Sequence, residues 1–245
     1  MSSSVCLRRS RMPMPSTIVP SIDPDVLTLA PGFRALSLIA ESRGVIDGTV
    51  AIEALARAST VVAARQPAWA DAHLDAWRQV FLRFGAKAQR TPSSAEALRK
   101  RFVRDGALPQ VNPVVDLYNA ISLRFAVPVG GENLAAYAGP PRLVRATGTE
   151  VFDTMKDGQR IEEPPDPGEV VWRDDLGVTC RRWNWRQGVR TRLGGGAHQI
   201  WFILESLPEM PIEALHEAGD ELANGLRAMM TDARIESTLI GTTAR

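Results

Sequence analysis

The sequence predicts an α+β fold, with helices packed on antiparallel or mixed β-sheet. Between Trp69 and Phe125 apolar residues recur at helical spacing. Beyond Gly139 the texture changes to short apolar runs divided by Gly, Pro and Asp turns. A repeat of fixed period is absent, which removes the main support for solenoids and propellers. The 245 residues are 44% hydrophobic and 23% charged, a composition that excludes mainly disordered, collagenous and coiled-coil chains.

The elements follow from punctuation. Residues 1–20 read as a disordered tail. Asp25 to Leu29 and Ala35 to Glu41, around Pro31-Gly32, read as a pair of strands. From Trp69 to Phe84, the residues Leu74, Trp77, Val80, Phe81 and Phe84 form one apolar face. Thr91 to Ser94 caps a second helix that ends near Asp105-Gly106, with Lys and Arg in its last turn where they complement the dipole. Asn112-Pro113 starts a third helix, about Val114 to Phe125, since Asn caps and proline lacks only an N–H that has no helical partner there. Pro128 and Gly130-Gly131 are expected to stop it in a turn. Leu143 to Ala146, Glu169 to Arg173, Gly177 to Arg182 and Gln199 to Glu205 read as strands, with Asp174 to Gly177 as a hairpin connection. Residues 211–234 read as an amphipathic helix that Gly219 and Gly225 weaken. The domain division is therefore 21–207 as the α+β domain and 208–245 as a helical extension.

Charge and cysteine bound the function. With 29 basic and 28 acidic residues, the net charge of +1 gives no whole-chain field to hold a polyanion. Locally, 83–104 and 178–192 are basic, and the first reads either as a solvated helix face or as a phosphate-holding surface. The 2 cysteines, Cys6 and Cys180, give neither a disulfide framework nor a zinc quartet. A membrane span and a secretory h-region are lacking in the sequence, so a cytoplasmic protein is expected.

Catalytic motifs of the common kinds are missing. His73, His198 and His216 have no metal-type spacing, and neither a Gly-x-Ser-x-Gly elbow nor a dinucleotide fingerprint occurs. Cys180 to Gln187 packs 2 of the 6 tryptophans with arginines and amides, which suits recognition of a base and phosphate or, equally, a half-buried strand. Pro128 to Asn133 brings 2 glycines beside Glu132, either to approach a ligand or to end the helix.

The run Leu108 to Asn119, then Pro128 to Glu132, Pro167 to Trp172 and Arg182 to Gln187, resembles the tRNA-editing module of the bacterial phenylalanyl-tRNA synthetase β chain, its B-three/B-four domain. The resemblance covers about residues 80–207 and is strongest to free-standing members of that family. It implies an α+β fold and a deacylase acting in trans on the ester of a mischarged tRNA, with neither metal nor organic cofactor. Some relatives act on arginine-accepting tRNA charged with canavanine. In that light Gly130 and Gly131 would line the ester carbonyl, and Glu132 and Asn119 would orient the amino acid or the water. Arg182, Trp183, Asn184, Trp185 and Gln187 would form the facing wall, and Arg99, Lys100, Arg101 and Arg104 would guide the acceptor stem. The synthetase module carries a histidine near the position of Gly130. Its loss weakens a tyrosine-binding reading and directs attention to Glu132, with Asp116, as a partner for a guanidinium-like side chain. The alternative is a non-catalytic tRNA- or amino-acid-binding module of the same fold.

Overall fold

The computed structural model describes residues 18–194 and 196–241. The expected tail lies outside the described residues up to residue 17; Ile18 already packs on the core. Along the chain, β1 (Ser21–Ile22), α1 (Pro24–Leu29) and β2 (Arg34–Glu41) lead into α2 (Thr49–Ala63), α3 (Ala70–Arg83), α4 (Ser94–Asp105) and α5 (Pro113–Phe125). There follow β3 (Val129–Asn133), β4 (Arg142–Arg145), β5 (Phe152–Lys156), β6 (Gln159–Glu163), β7 (Val170–Arg173), β8 (Val178–Arg181), β9 (Arg186–Gln187) and β10 (Gln199–Ser206), then α6 (Ile212–Met229) and β11 (Arg234–Gly241).

The fold is α+β, built on two sheets. One has four antiparallel strands in the order β11-β2-β10-β3. The other has seven, in the order β1-β4-β7-β8-β5-β6 with β9 on β8, and is mixed, because β1 runs parallel to β4 and β5 to β8. Side chains alternate across a strand, so β10 serves two cores. Ile200, Phe202 and Leu204 meet α2, α5 and α6. Trp201 and Ile203 meet the second sheet and α3, where Trp77, Phe81 and Trp183 are buried.

The expected helices form where the caps stand. Ser93 Oγ accepts from Glu96 N at 3.4 Å, and Asn112 Oδ1 accepts from Val115 N at 3.0 Å. The β7–β8 hairpin is closed by Asp174 Oδ1, which accepts from Leu176 N and Gly177 N at 3.0 and 3.1 Å.

Four expectations need correction. Residues 25–29 are helix, not strand, because Asp23 caps Asp25 N at 2.9 Å and Pro24 occupies the first turn. α5 ends at Phe125 as expected, but it is stopped by Ala126 in the left-handed region (φ 49°), and Gly130-Gly131 is strand, not turn. The expected extension 208–245 is, as far as it is described to residue 241, part of the domain: α6 fills the first core and β11 pairs with β2 over eight residues. Finally, α2, β5, β6 and β11 had no counterpart in the sequence reading. α2 buries Ala51, Ala54, Ala58 and Val62, a stripe too small-sided to stand out as an apolar face.

Gly219, which weakens α6 as an isolated helix, is required by packing. A Cβ there would lie 2.1 Å from Leu36 Cδ2, itself buried in β2. In an exposed helix Gly→Ala gains up to ~1 kcal/mol. Here overpacking, about 1–3 kcal/mol, outweighs that gain. Gly219→Ala is therefore expected to lower Tm by a few degrees in thermal unfolding, opposite in sign to the same change on a solvent-facing helix.

Candidate functional site

The site is built on β3. Glu132 pairs with Trp201 and Gly130 with Ile203, so both face the second sheet. Gly131 faces the helices instead, and a Cβ there would come within 2.9 Å of Tyr118 Cε1 and 3.0 Å of Phe202 Cε1. At Gly130 an added Cβ meets only Ile203 Cγ2, at 3.5 Å. The strand is thus tight at Gly131, whereas on the other face a methyl group at Gly130 would make only an ordinary contact, beside the carboxylate.

Glu132 is only 5% exposed. The Tyr137 hydroxyl donates to its Oε2 and lies 3.2 Å from Thr179 Oγ1, while the Tyr137 ring stands edge-on to Trp201 at 5.7 Å. Among the described residues no cation lies within ion-pair distance of Glu132. Burial pushes its carboxyl up to about 8, and the polar side chains around it, Gln187 first, only partly oppose this. The group therefore titrates near neutral pH, where it can take up or release a proton.

The outer edge of β3 is covered by Gln187 of β9 and the stretch that follows it. Gln187 Nε2 donates to Gly131 O at 2.9 Å, Asn133 N donates to Thr191 O at 2.8 Å, and Arg192 bridges Glu132 through the backbone. Since the Gly131 carbonyl points to that edge, strand geometry turns its N–H there as well. Arg190 staples the stretch down, with Nη1 and Nη2 each 2.8 Å from Asp174 and Nη1 2.7 Å from Ala136 O.

Next to it lies a turn under strain. Arg182 and Trp183 are both left-handed, at φ 45° and 65°, a conformation that costs of order 1–3 kcal/mol for each non-glycine residue. Carboxylates hold it from both sides. Glu169 accepts from Arg181 Nε and Nη2 (2.9 and 2.7 Å) and from Arg182 N (2.9 Å). Glu205 accepts from Asn184 Nδ2 at 3.0 Å and Trp172 Nε1 at 2.8 Å, and burial pushes it up to about 7. Trp185 carries the Arg182 guanidinium at 4.5 Å from its ring centroid and that of Arg186 at 5.8 Å.

The B3/4 domain family pattern matches residues 76–218, more than half of the chain. The chain belongs to the B3/4 domain family. This B3/4 chain is also similar to an N-terminal fragment of the phenylalanyl-tRNA synthetase β-subunit from Pyrococcus horikoshii, at 10% identity and a TM-score of 0.46, over 93% of this chain and 55% of that one. It spans about half the length of that fragment. No curated protein matches it.

The B3/4 chain brings some of the expected site residues together and separates others. Glu132, Gly130, Gly131 and Gln187 adjoin, although Gln187 closes the gap over Gly131 directly. Asn184 is taken up by Glu205 and Trp185 packs on the second core. Trp183 does not form a wall: its indole is fully buried, 4.9 Å from Phe33 and 5.3 Å from Trp77 between ring centroids. Asp116 and Asn119 lie on α5, against the other face of the sheet. The Asp116 carboxylate accepts from Val111 N at 2.9 Å and so serves the helix start. The α5 side chain that does reach Gly131 is Tyr118, whose phenol is pushed up by burial and by the nearby Glu132 and Asp116.

The expected basic face of α4 is largely committed to internal partners. Arg99 donates to Leu123 O and Gln66 O, each at 3.0 Å. Lys100 pairs with the buried Glu96 at 2.6 Å, and Arg101 and Arg104 both pair with Asp105. Sequence reasoning missed Tyr137, Thr179, Arg192 and Glu205. Glu205 carried a signal, as a lone acid in the apolar run Ile200 to Leu207, and Arg192 lay in the basic segment 178–192; Tyr137 and Thr179 carried none. Among the described residues no cluster of three or more His, Cys, Asp or Glu could hold a metal ion, and no helix is long and apolar enough to cross a membrane.

Because the folded protein holds Glu132's proton up to about pH 8 and the unfolded chain releases it near 4.5, this group's contribution to stability falls as pH rises between those values. Glu132→Gln does not titrate. Relative to wild type, its unfolding free energy is expected to improve by up to about 1.4 kcal/mol per pH unit from pH 5 to 8, read from denaturant midpoints across that range.

Proposed function

We propose that this B3/4 chain is an editing deacylase acting in trans, which hydrolyses the ester joining a wrong amino acid to the 3′ end of a tRNA. The observation that carries this reading is Glu132: a buried carboxylate without a cation partner among the described residues, on the same strand face as Gly130, which has no side chain. Family membership and the resemblance to synthetase editing modules supply the ester.

An aminoacyl ester is already activated, so placing a water against its carbonyl and supporting the oxyanion can supply much of the acceleration. In the proposed step the ester carbonyl lies against Gly130. The water oxygen attacks the carbonyl carbon, and its proton passes to the Glu132 carboxylate, which then returns it to the departing ribose oxygen. The Gly131 N–H at the strand edge supports the oxyanion once Gln187 swings off the Gly131 carbonyl. Neither a nucleophilic side chain nor a metal is required by this scheme. The preferred amino acid carries a guanidinium-like cation, as canavanine does; the resemblance to free-standing relatives supports this choice, Glu132 being committed to the water.

The test is deacylation of a panel of mischarged tRNAs under multiple-turnover conditions. Canavanyl-tRNA is expected to lose its amino acid many times per protein chain and faster than tyrosyl-tRNA, with kcat/KM rising with pH and levelling above about 8. Glu132→Gln should cut the rate about 10²–10⁴-fold and abolish the pH limb. Gly130→Ala, which fits without a clash, should keep Tm and lower kcat/KM about 10- to 100-fold by displacing the ester. Stoichiometric protection of the ester without turnover would instead establish a binding module, and faster release of tyrosine would remove the cationic specificity.

A further inference from the structure

We infer that the RNA strand is received not by α4 but by the segment behind β3, with Arg186 and Arg192 contacting phosphates and the Arg182–Trp185 stack receiving a base. The inference rests on the editing reading for the class of partner; the choice of surface comes from the geometry.

The first argument is charge. A phosphate is attracted by a cation whose field is not already cancelled nearby. On α4 the acids Glu96 and Asp105 neutralise Lys100, Arg101 and Arg104, and Arg99 joins two backbone carbonyls. Arg186 and Arg192, by contrast, have no carboxylate within ion-pair distance among the described residues. Arg186 makes one hydrogen bond, from Nη2 to Met155 O at 3.1 Å, and Arg192 is exposed.

The second argument is position. Arg192 is bridged to Glu132 itself, and Arg186 precedes the glutamine that bonds Gly131 O. A strand held by these two guanidinium groups delivers its end to the space beside Gly130. α4 packs on α5, the helix on the opposite face of the sheet.

The third argument is the aromatic. Trp185 is half-buried and carries Arg182 at 4.5 Å, so indole and guanidinium already form a two-layer stack. Unstacked bases lie on aromatic faces and on guanidinium planes, and a wall of that kind selects a nucleic acid over an acidic protein surface. Glu169 below the turn and Glu205 behind Asn184 hold this stack in place before any ligand arrives.

The experiment measures binding of an uncharged, fluorescently labelled acceptor-stem hairpin ending in a single-stranded 3′ tail, by anisotropy, over a series of salt concentrations. Arg186→Glu/Arg192→Glu is expected to weaken binding at least about tenfold and to lower the salt slope by about 1.4, two single-strand phosphate contacts' worth. Arg186→Gln/Arg192→Gln, the milder pair, should lie between it and wild type, and Trp185→Ala should weaken binding without changing the slope. Lys100→Gln/Arg101→Gln/Arg104→Gln should stay within about twofold of wild type. Weakening confined to the α4 variant, no effect of either arginine pair, or failure of wild type to bind the hairpin would overturn the inference. So would equally tight binding of a poly-glutamate peptide of matched charge. Deacylation of charged tRNA is measured alongside: hairpin binding lost in the arginine variants with no turnover by wild type sinks the editing reading alone, whereas turnover indifferent to the arginine pair sinks the surface alone.

Discussion

Everything in this molecule depends on β10 having to be apolar on both faces. A strand sandwiched between a helical layer and a second sheet must supply two cores from alternate side chains, which β10 does with Ile200, Phe202 and Leu204 on one side and Trp201 and Ile203 on the other. The same alternation fixes the chemistry. β3 pairs with β10 in strict register, so Glu132 has to stand beside Trp201 in the apolar layer, and Gly131 has to pass between Tyr118 and Phe202. A slip of one residue would send the carboxylate into the helical core and a missing side chain to the site.

Placing acids in that layer has thermodynamic consequences that shape the whole site. Glu132 and Glu205 lie on the same side of the sheet and are both pushed up by burial, to about 8 and about 7. Neither is needed for packing, since an apolar residue of that size would fill the space without the desolvation penalty. His73 leans the other way. It is buried with Nδ1 2.9 Å from Ala126 O, while Nε2 accepts from Trp77 Nε1 and Leu207 N; burial lowers it to about 4. As pH falls from 6.5 towards 4, His73 destabilises the fold, because only the unfolded chain takes the proton readily. The carboxyls act in the opposite direction above about 4.5. The histidine thus ties α3 to the end of α5 and the exit of β10, and its tautomer is fixed by three partners, which accounts for it without catalysis.

How much of this was legible in the sequence follows from how local each signal is. Caps and hairpins are local: Ser93, Asn112 and the Asp174 turn are each settled by contacts within five residues, and the sequence located them correctly. α1 was misread because its apolar run is too short to show a period, so the Asp23-Pro24 start decided it. α2 was missed because its buried stripe is mostly alanine, invisible to a search for large apolar side chains. The placement of β11 against β2 is a pairing across nearly two hundred residues, which no local pattern contains. In the site, Glu132 and its glycines could be marked from the family resemblance, but Trp183 could not be told from a ligand wall: in sequence a core tryptophan and a stacking tryptophan are the same letter. The fate of the α4 cations was equally hidden, since their acidic partners Glu96 and Asp105 lie within the same helix and look like ordinary solvated pairs.

The strained turn is held by the core beneath it. Two successive left-handed residues are maintained only if the surroundings over-determine them. Here Trp183 is buried among Phe33, Trp77 and Phe84, Glu169 takes the Arg182 N–H, and Glu205 takes the Asn184 amide. That anchoring sets the geometry of Arg182 and Trp185 as well, the indole of Trp185 packing on the edge of the same core with the Arg182 guanidinium over it. A loop held only by solvent would have to be ordered at each binding event, at the expense of affinity. The buried tryptophan therefore acts as the anchor of the turn, and its burial is what fixes the two half-buried side chains near it, Arg182 and Trp185, as a pair.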